Sequence, residues 1–494
     1  MMMPTTQTKV VSRYKAVEEY IERLIQSGGL NVGDKLPSIR ATSSKLGVAK
    51  NTVIRAYQEL EAVGKITARD RSGFVVHRSF LNSLAPFSIS AQIDTVPTTV
   101  DLLSMTKQIL GQSPGTLLMP AGSAHPNTEG PAISSLYAEI GRHSRAQSHI
   151  PSHYQLPPGN EKLLKQIAKI SIDQGIELQG ESVFVTNGSQ QAISQALRAV
   201  TKPGDTIAVE SPCYFGILLM LESLGLKALE IPSSSEFGLH VPSLQSALTQ
   251  WPVAAIVVTP NYTNPTGALM PLDARRQLLK SSGNIPIIED DVFGALGNNA
   301  AIPSLKQLDT QKRVIYCTSL SKTLDSRLRI GWLIAGQYRH HIERSLISDN
   351  MGSQNLIQSA VGEFLATGKY KQHVRRMTRY YQNNLTYFIA LLRQRLDSHF
   401  HDQYSLTSPT GSFLCWLTLP THYDSQRIYD QCLIQGVSVL PGTLFGSKGQ
   451  YAHCLRFNVA NFHDNRAWRT GIDRFVTILE QQRKHFKTRS DNEH

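Results

Sequence analysis

The chain has little of what marks a secreted, metal-stapled or membrane protein. Its 494 residues include five cysteines, an odd number, scattered at Cys213, Cys317, Cys415, Cys432 and Cys454. No two fall at the C-x-x-C spacing of a zinc or redox pair, so neither a disulfide framework nor a metal site is expected. Apolar runs such as 215–221 and 253–258 are far shorter than the roughly 20 residues of a membrane span. The first eleven residues lack the apolar stretch of a signal peptide. A soluble protein of the reducing cytoplasm, with no membrane partner, is the expectation. Acidic residues are also short: Asp and Glu total 38 against 50 Lys and Arg, a net charge of +12. With 41% apolar and 18% charged residues the chain can build cores, which excludes wholesale disorder. The cationic excess favours an anionic partner, either nucleic acid or a phosphate-bearing ligand.

Three zones follow from the patterning. Residues 9–79 are basic and strongly periodic. Residues 80–115 are rich in Ser, Thr, Pro and Gln and read as a linker, with one short helix near 102–110. From 116 to 485, short apolar runs at 182–186, 206–209, 254–259, 286–289 and 314–318 alternate with amphipathic stretches at 190–200, 272–280 and 342–346. Buried strands alternating with helices predict an α/β domain with a mainly parallel sheet. Residues 486–494 read as a basic, polar tail.

In the first zone Val17, Ile21, Leu24 and Ile25 fall at helical spacing, and Gly28-Gly29 ends that helix. Ser38 is a good N-cap for a second helix carrying Arg40, and Gly47 breaks it. A third helix runs from about Asn51 to Val63, with Val53, Ile54, Tyr57 and Leu60 as its apolar stripe. A short Gly-containing turn between two helices is the helix-turn-helix arrangement. Arg69 to Gly73 make a tight turn before Phe74, the signature of a small hairpin, or wing. From Lys9 to Arg78 there are thirteen basic and seven acidic residues, a surplus of 6, half the excess of the whole chain. The acids avoid the start of the third helix, where Lys50, Asn51 and Arg55 lie. A recognition helix reads base edges with its N-terminal residues while flanking cations hold phosphates. A solvated charged face is the plainer alternative on charge alone.

The run Leu36-Pro37-Ser38-x-Arg40, Leu46-Gly47-Val48, Asn51-Thr52-Val53, Tyr57-x-x-Leu60-x-x-x-Gly64 and Ser72-Gly73 resembles the winged helix-turn-helix of the GntR regulators. The resemblance implies DNA contacts from Arg40, Lys50, Asn51, Thr52, Arg55, Arg71, Ser72 and Gly73. Ala49 departs from the family's usual Ser or Thr, which removes an N-cap worth about 1 kcal/mol.

In the large zone, Thr318-Ser319-Leu320-Ser321-Lys322 is followed by Arg329-Ile330-Gly331-Trp332. A lysine just after a strand, among hydroxyls and with a following Arg, suits a Schiff base beside a phosphate. Alone it would be an ordinary surface lysine. It is accompanied by Asn261-Tyr262-Thr263-Asn264-Pro265-Thr266-Gly267, a rigid turn that can aim an amide. It is accompanied too by Ile287-Ile288-Glu289-Asp290-Asp291, carboxylates at a strand's carboxyl end, where α/β folds bind ligands. Upstream, Thr186-Asn187-Gly188-Ser189-Gln190-Gln191 joins a strand to a helix, a natural phosphate cradle.

Together, in this order, these segments resemble the class I/II, fold-type-I aminotransferases, which use pyridoxal 5'-phosphate (PLP). The resemblance spans about 154–456 and implies a smaller C-terminal α+β lobe. It implies that Lys322 forms the Schiff base, that Asp290 pairs with the pyridine nitrogen and that Asn264 meets the phenolic oxygen. Tyr214 would stack on the ring, and Ser189, Gln190, Ser319, Ser321 and Arg329 would surround the phosphate. Arg456 would grip a substrate or effector carboxylate, and Tyr154, with Gly159, would reach the neighbouring subunit's cofactor. Phe293 departs from the usual Tyr, removing a donor to the phenolic oxygen. The stretch 119–127 only loosely resembles the family's substrate-contacting segment.

A GntR-type domain joined to an aminotransferase-like domain resembles the MocR regulators. That resemblance implies a PLP-dependent transcriptional regulator, a homodimer on double-stranded operator DNA. It would sense an amino acid or related amine through external aldimine formation. A working aminotransferase with an accessory DNA-binding domain remains the alternative, since the main catalytic positions are all present; a sensor of PLP itself needs only Lys322 and the phosphate shell.

Overall fold

The computed structural model describes residues 13–26, 30, 34–62, 66–69, 73–76, 95–111, 117–146, 154–178, 180–297, 302–400 and 403–492. The chain divides into two compact units, Met1–Ser88 with Ile389–Ser405, and Ile89–Phe388 with Leu406–His494.

The first unit contains α1 (Arg13–Gln26), α2 (Ile39–Leu46) and α3 (Lys50–Ala62), then the antiparallel strands Ile66–Arg69 and Gly73–Val76. Ser38 starts α2: its hydroxyl accepts the Ala41 N–H at 3.2 Å. Gly47 stops α2 in the left-handed region at φ 62°, where its own N–H reaches the Ser43 carbonyl. Val17, Ile21, Val53, Ala56, Tyr57, Leu60, Ile66 and Val76 make the core. The Tyr57 hydroxyl donates to the Pro37 carbonyl at 2.8 Å, leaving it to accept from the fully buried Thr42 hydroxyl at 2.9 Å. One expectation fails: Ile54 is 37% exposed. It sits one residue, hence about 100° of helix, from Val53, while Ala56, Tyr57 and Leu60 share Val53's face. The two wing strands pair Ile66 with Val76 and Arg69 with Gly73; the turn residues Arg71 and Ser72 lie outside the described residues.

The second unit is built on one sheet. Its strand order is Thr98–Thr99, Lys227–Ser234, Thr206–Ser211, Val253–Val258, Ile287–Asp290, Val314–Ser319, Gly331–Ile334 and Val183–Thr186. The five strands from Lys227–Ser234 to Val314–Ser319 are mutually parallel, whereas Gly331–Ile334 is antiparallel to both neighbours. Thr206–Ser211 and Val314–Ser319 are buried at every position. Helices cover both faces, so period-2 alternation sorts side chains between two cores rather than between core and water. Ile207, Val209, Ala255, Val257, Ile288, Ile315 and Cys317 enter one core. Ala208, Ile256, Val258, Ile287 and Val314 enter the other. The smaller lobe carries an antiparallel sheet of Leu414–Thr418, Cys454–Asn458 and Leu440–Pro441, with the helix Ser425–Ile434 nearby.

Two boundaries differ from the sequence reading. The expected linker 80–115 ends earlier, because residues 95–111 are built into the large unit. Thr98–Thr99 adds an edge strand to Lys227–Ser234, the Trp251 indole donates to the Thr95 carbonyl at 3.0 Å, and the helix Leu103–Leu110 forms as expected. Residues 77–94 and 112–116 lie outside the described residues. The expected tail 486–494 is also shorter, since the last helix, Arg466–Asn492, runs through most of it. No helix among the described residues is long and apolar enough to cross a membrane.

Candidate functional site

Parallel strands deliver their carboxyl ends to one edge of the sheet, and that edge collects the chemistry. Cys213 and Tyr214 follow Thr206–Ser211, Asn264 follows Val253–Val258, Asp290 ends its strand, and Ser321 and Lys322 follow Val314–Ser319. The antiparallel neighbour Gly331–Ile334 begins two residues after Arg329, returning that side chain to the same edge.

Asp290 and Asp291 are adjacent, and their surroundings differ. Both Asp291 oxygens are filled, one by the Asn261 amide at 2.9 Å and the other by the Tyr316 hydroxyl at 2.6 Å. Asp290 is 4% exposed, yet its Oδ1 has no hydrogen-bond partner. Burial, then Asp291, push its pKa up to about 7, with Lys322 opposing. A buried acceptor without a donor is the vacancy that a ring N–H would fill.

Lys322 is part-buried, and its ammonium donates to the Ala124 carbonyl at 2.8 Å. Burial and the positive Arg456 and Arg329 bring its pKa down to about 8, against the pull of Asp290. About a tenth of the amine is then neutral at pH 7, far more than for an ordinary lysine, and the neutral form is the nucleophile.

Around it, Ser321 Oγ is buried without a partner, and Ser319 Oγ accepts the Ser321 N–H at 3.3 Å. Ser189 and Gln190 open the helix Ser189–Val200, whose first N–H groups have no intrahelical acceptors. Gly188, at φ 81°, precedes it, and a Cβ there would lie 2.8 Å from Arg329 Nη2. Arg329 donates to the Asn187 carbonyl at 2.9 Å, which holds the guanidinium beside that helix terminus. Tyr214 donates to Gln190 Oε1 at 3.3 Å.

Arg456, 1% exposed, donates from Nη1 to Asn264 Oδ1 at 3.3 Å, and from Nη2 to the Gly122 and Ser123 carbonyls at 2.5 and 3.0 Å. Its Nε is buried with no partner, and burial lowers its pKa to about 10, so it stays cationic. Phe293, 1% exposed, packs edge-on to Phe413 at 5.4 Å between ring centroids, so an apolar contact stands where a donor was expected to be missing. Tyr154 is 72% exposed in the chain taken alone.

Sequence reasoning missed the part played by residues 122–125. Their carbonyls accept from Arg456, Lys322 and Asn458, the last through the His125 carbonyl at 3.0 Å. Main-chain contacts leave no residue-type signal. His125 itself did carry one, a histidine inside the stretch 119–127 that only loosely resembles the family's substrate-contacting segment. Glu210, 2% exposed, four residues before Tyr214, is a further buried carboxyl at this edge. Its Oε1 accepts the Thr259 N–H, and burial lifts its pKa to about 8.

In the small unit, Arg40, Lys50, Asn51, Arg55 and Gly73 are exposed, and Thr52 is part-exposed at the start of α3. Arg55 also lies over the Tyr14 ring, 4.6 Å from its centroid. Ala49 immediately precedes α3, and its carbonyl accepts the Thr52 and Val53 N–H groups at 2.9 and 3.3 Å.

Residues 136–473 match the family of aminotransferase class I and II, and residues 13–76 match the bacterial regulatory proteins of the gntR family. An HTH-type transcriptional regulator of Escherichia coli, YjiR, is 34% identical over 91% of this chain and 95% of its own length. The probable rhizopine catabolism regulatory protein MocR of Rhizobium meliloti is 28% identical over 78% of each. A crystal structure of kynurenine aminotransferase from Pyrococcus horikoshii, in complex with PMP, superposes with a TM-score of 0.69. It is 23% identical and covers 78% of this chain and 95% of that one.

Proposed function

The chain belongs to the aminotransferase class I and II family and to the HTH-type regulators that join it to a gntR-type domain; from that premise we propose a PLP-dependent transcriptional regulator of the MocR type. The observation that carries this reading is one set of groups: Lys322, whose amine feels the charges of Asp290, Arg456 and Arg329, and three buried atoms without partners, Asp290 Oδ1, Ser321 Oγ and Arg456 Nε. That set matches a molecule with an aldehyde, a basic ring nitrogen, a phosphate and an amino-acid carboxylate beside it.

PLP supplies an aldehyde that condenses with amines and a ring that withdraws electrons. The chain's own residues do the rest. Lys322 would offer a part-neutral amine to the aldehyde. Asp290 would pair with the ring nitrogen. Ser189, Gln190, Ser319, Ser321, Arg329 and the terminus of the helix Ser189–Val200 would hold the phosphate. Tyr214 would stack on the ring, Asn264 would meet the phenolic oxygen, and Arg456 would take the carboxylate of an amino-acid effector. Tyr154 would serve the pocket of a second copy, in a cytoplasmic homodimer. Two winged helices then meet two operator half-sites, with Lys50 and Arg40 on phosphates and Asn51 on a base edge. Residues 71–73 would follow the backbone.

Capturing genomic fragments with the full chain identifies the operator. Reconstituting the chain and Lys322→Ala with PLP then tests the pocket. The wild type gains the visible absorbance of a lysine-linked cofactor and the variant does not. Equal spectra would remove Lys322 from the role given to it.

A further inference from the structure

Residues 122–125 form a continuous bracket over both cations of the pocket. The Gly122 and Ser123 carbonyls accept from Arg456, the Ala124 carbonyl from Lys322, and the His125 carbonyl from Asn458, two residues beyond Arg456 on the same strand. At the fourth residue the bracket offers a side chain. His125 Nδ1 lies 2.9 Å from the Ser326 hydroxyl, four residues past Lys322, so the ring is held between the two loops that carry the pocket's chemistry. That bond occupies Nδ1 and leaves Nε2 free to meet another group.

His125 is exposed as a residue, so it is no core side chain. Partial burial of its ring, then Lys322 and Arg456, hold its pKa below the ordinary histidine range, with Asp325 opposing. It is therefore neutral near neutral pH. Nδ1 is engaged by Ser326 in either tautomer, and Nε2 then offers a ligand an N–H or a lone pair. The surrounding charge narrows what it can meet. Lys322 and Arg456 repel a cationic side chain, and an aliphatic one that displaces water from Nε2 gives no bond in return. A hydroxyl or an amide, each with its oxygen, satisfies it in either tautomer.

We propose that His125 is the specificity-determining residue for the effector, which is an α-amino acid whose side chain carries a hydrogen-bonding oxygen. This rests on the reading of the pocket as an effector site for amino acids. Ser326 is a positioning residue: it aims the ring and does not touch the ligand. The plainer alternative is a surface histidine that merely ties two loops together, and it predicts no effect on selectivity.

The test uses the PLP-loaded full chain, following the cofactor's visible spectrum during titration with amino acids matched in shape but differing in the oxygen. Thr against Val, Asn against Leu and Gln against Met are suitable pairs. The wild type is expected to favour the oxygen-bearing member of at least one pair by about tenfold, the effect of one hydrogen bond to a group otherwise left unpaired. In His125→Ala that ratio falls to near one while apparent affinity for the aliphatic member stays within about threefold. Ser326→Ala retains part of the preference. A wild type without preference, or a ratio that survives in His125→Ala, overturns the proposal. If the chain binds PLP but no amino acid alters the spectrum, the effector reading itself falls and takes the proposal with it.

Discussion

Asp290 Oδ1 is without a partner, while Asp291, next in the chain, has both oxygens filled by Asn261 and Tyr316. The difference has a thermodynamic consequence. In the folded chain Asp290 keeps its proton up to about pH 7, against 3.8 for an ordinary aspartate. Between those values the folded state binds more protons than the unfolded one, so this group's contribution falls as pH rises and its cost is complete above about 7. Asp290→Asn removes the charge and keeps the shape. Without cofactor, denaturant titration should find the variant more stable than the wild type at pH 8, by at most about 4 kcal/mol. The two should be nearly equal at pH 3.5. If Asp290 pairs with the ring nitrogen as proposed, the same variant should also hold PLP more weakly. Equal stability at both pH values would mean that Asp290 is not desolvated as described. That Asp290 rather than Asp291 faces the pocket follows from the hydrogen-bond geometry, since adjacent carboxylates look alike in a motif. The carbonyls of residues 122–124 were likewise illegible, because every residue has one.

At the level of elements, α2 and α3 are braced by a single side chain. Tyr57 on α3 bonds the Pro37 carbonyl ahead of α2 and the buried Thr42 within it. Tyr57→Phe leaves the Thr42 hydroxyl and the Pro37 carbonyl short of a partner, and should destabilise the winged-helix unit by about 1–3 kcal/mol. Thermal unfolding followed at that unit, with the large unit's transition unchanged, would show it. A shift under 0.5 kcal/mol would mean that water replaces the lost hydroxyl. Much of this architecture was legible. Ser38 and Gly47 bound α2 because each has a local reason to do so, a side-chain acceptor in one case and freedom at positive φ in the other. The central strands were legible because both faces are buried and their apolar runs are unbroken. Ile54 was misassigned because an apolar residue one step off the stripe enlarges the pattern without belonging to it. Thr98–Thr99 escaped because two threonines in a polar stretch carry no period, and their strand exists only through pairing with Lys227–Ser234.

Across the whole molecule, the net charge of +12 is divided between two tasks. About half lies between Lys9 and Arg78, around a helix start clear of acids. The remainder includes Lys322, Arg329 and Arg456, proposed above to serve the cofactor and an effector carboxylate. Operator binding should accordingly weaken steeply with salt. Lys50→Ala should lower affinity similarly across operator sequences and reduce the log–log salt slope by about one, as expected for the loss of one phosphate contact. A loss confined to one base position would instead make Lys50 a base-reading residue. If the two tasks are coupled, an amino-acid effector changes the operator affinity of the PLP-loaded chain, which fluorescence anisotropy with and without the effector measures. The effector is expected to shift the wild-type operator affinity, and Lys322→Ala is expected to bind the same DNA without responding. An identical response in both proteins would contradict that expectation.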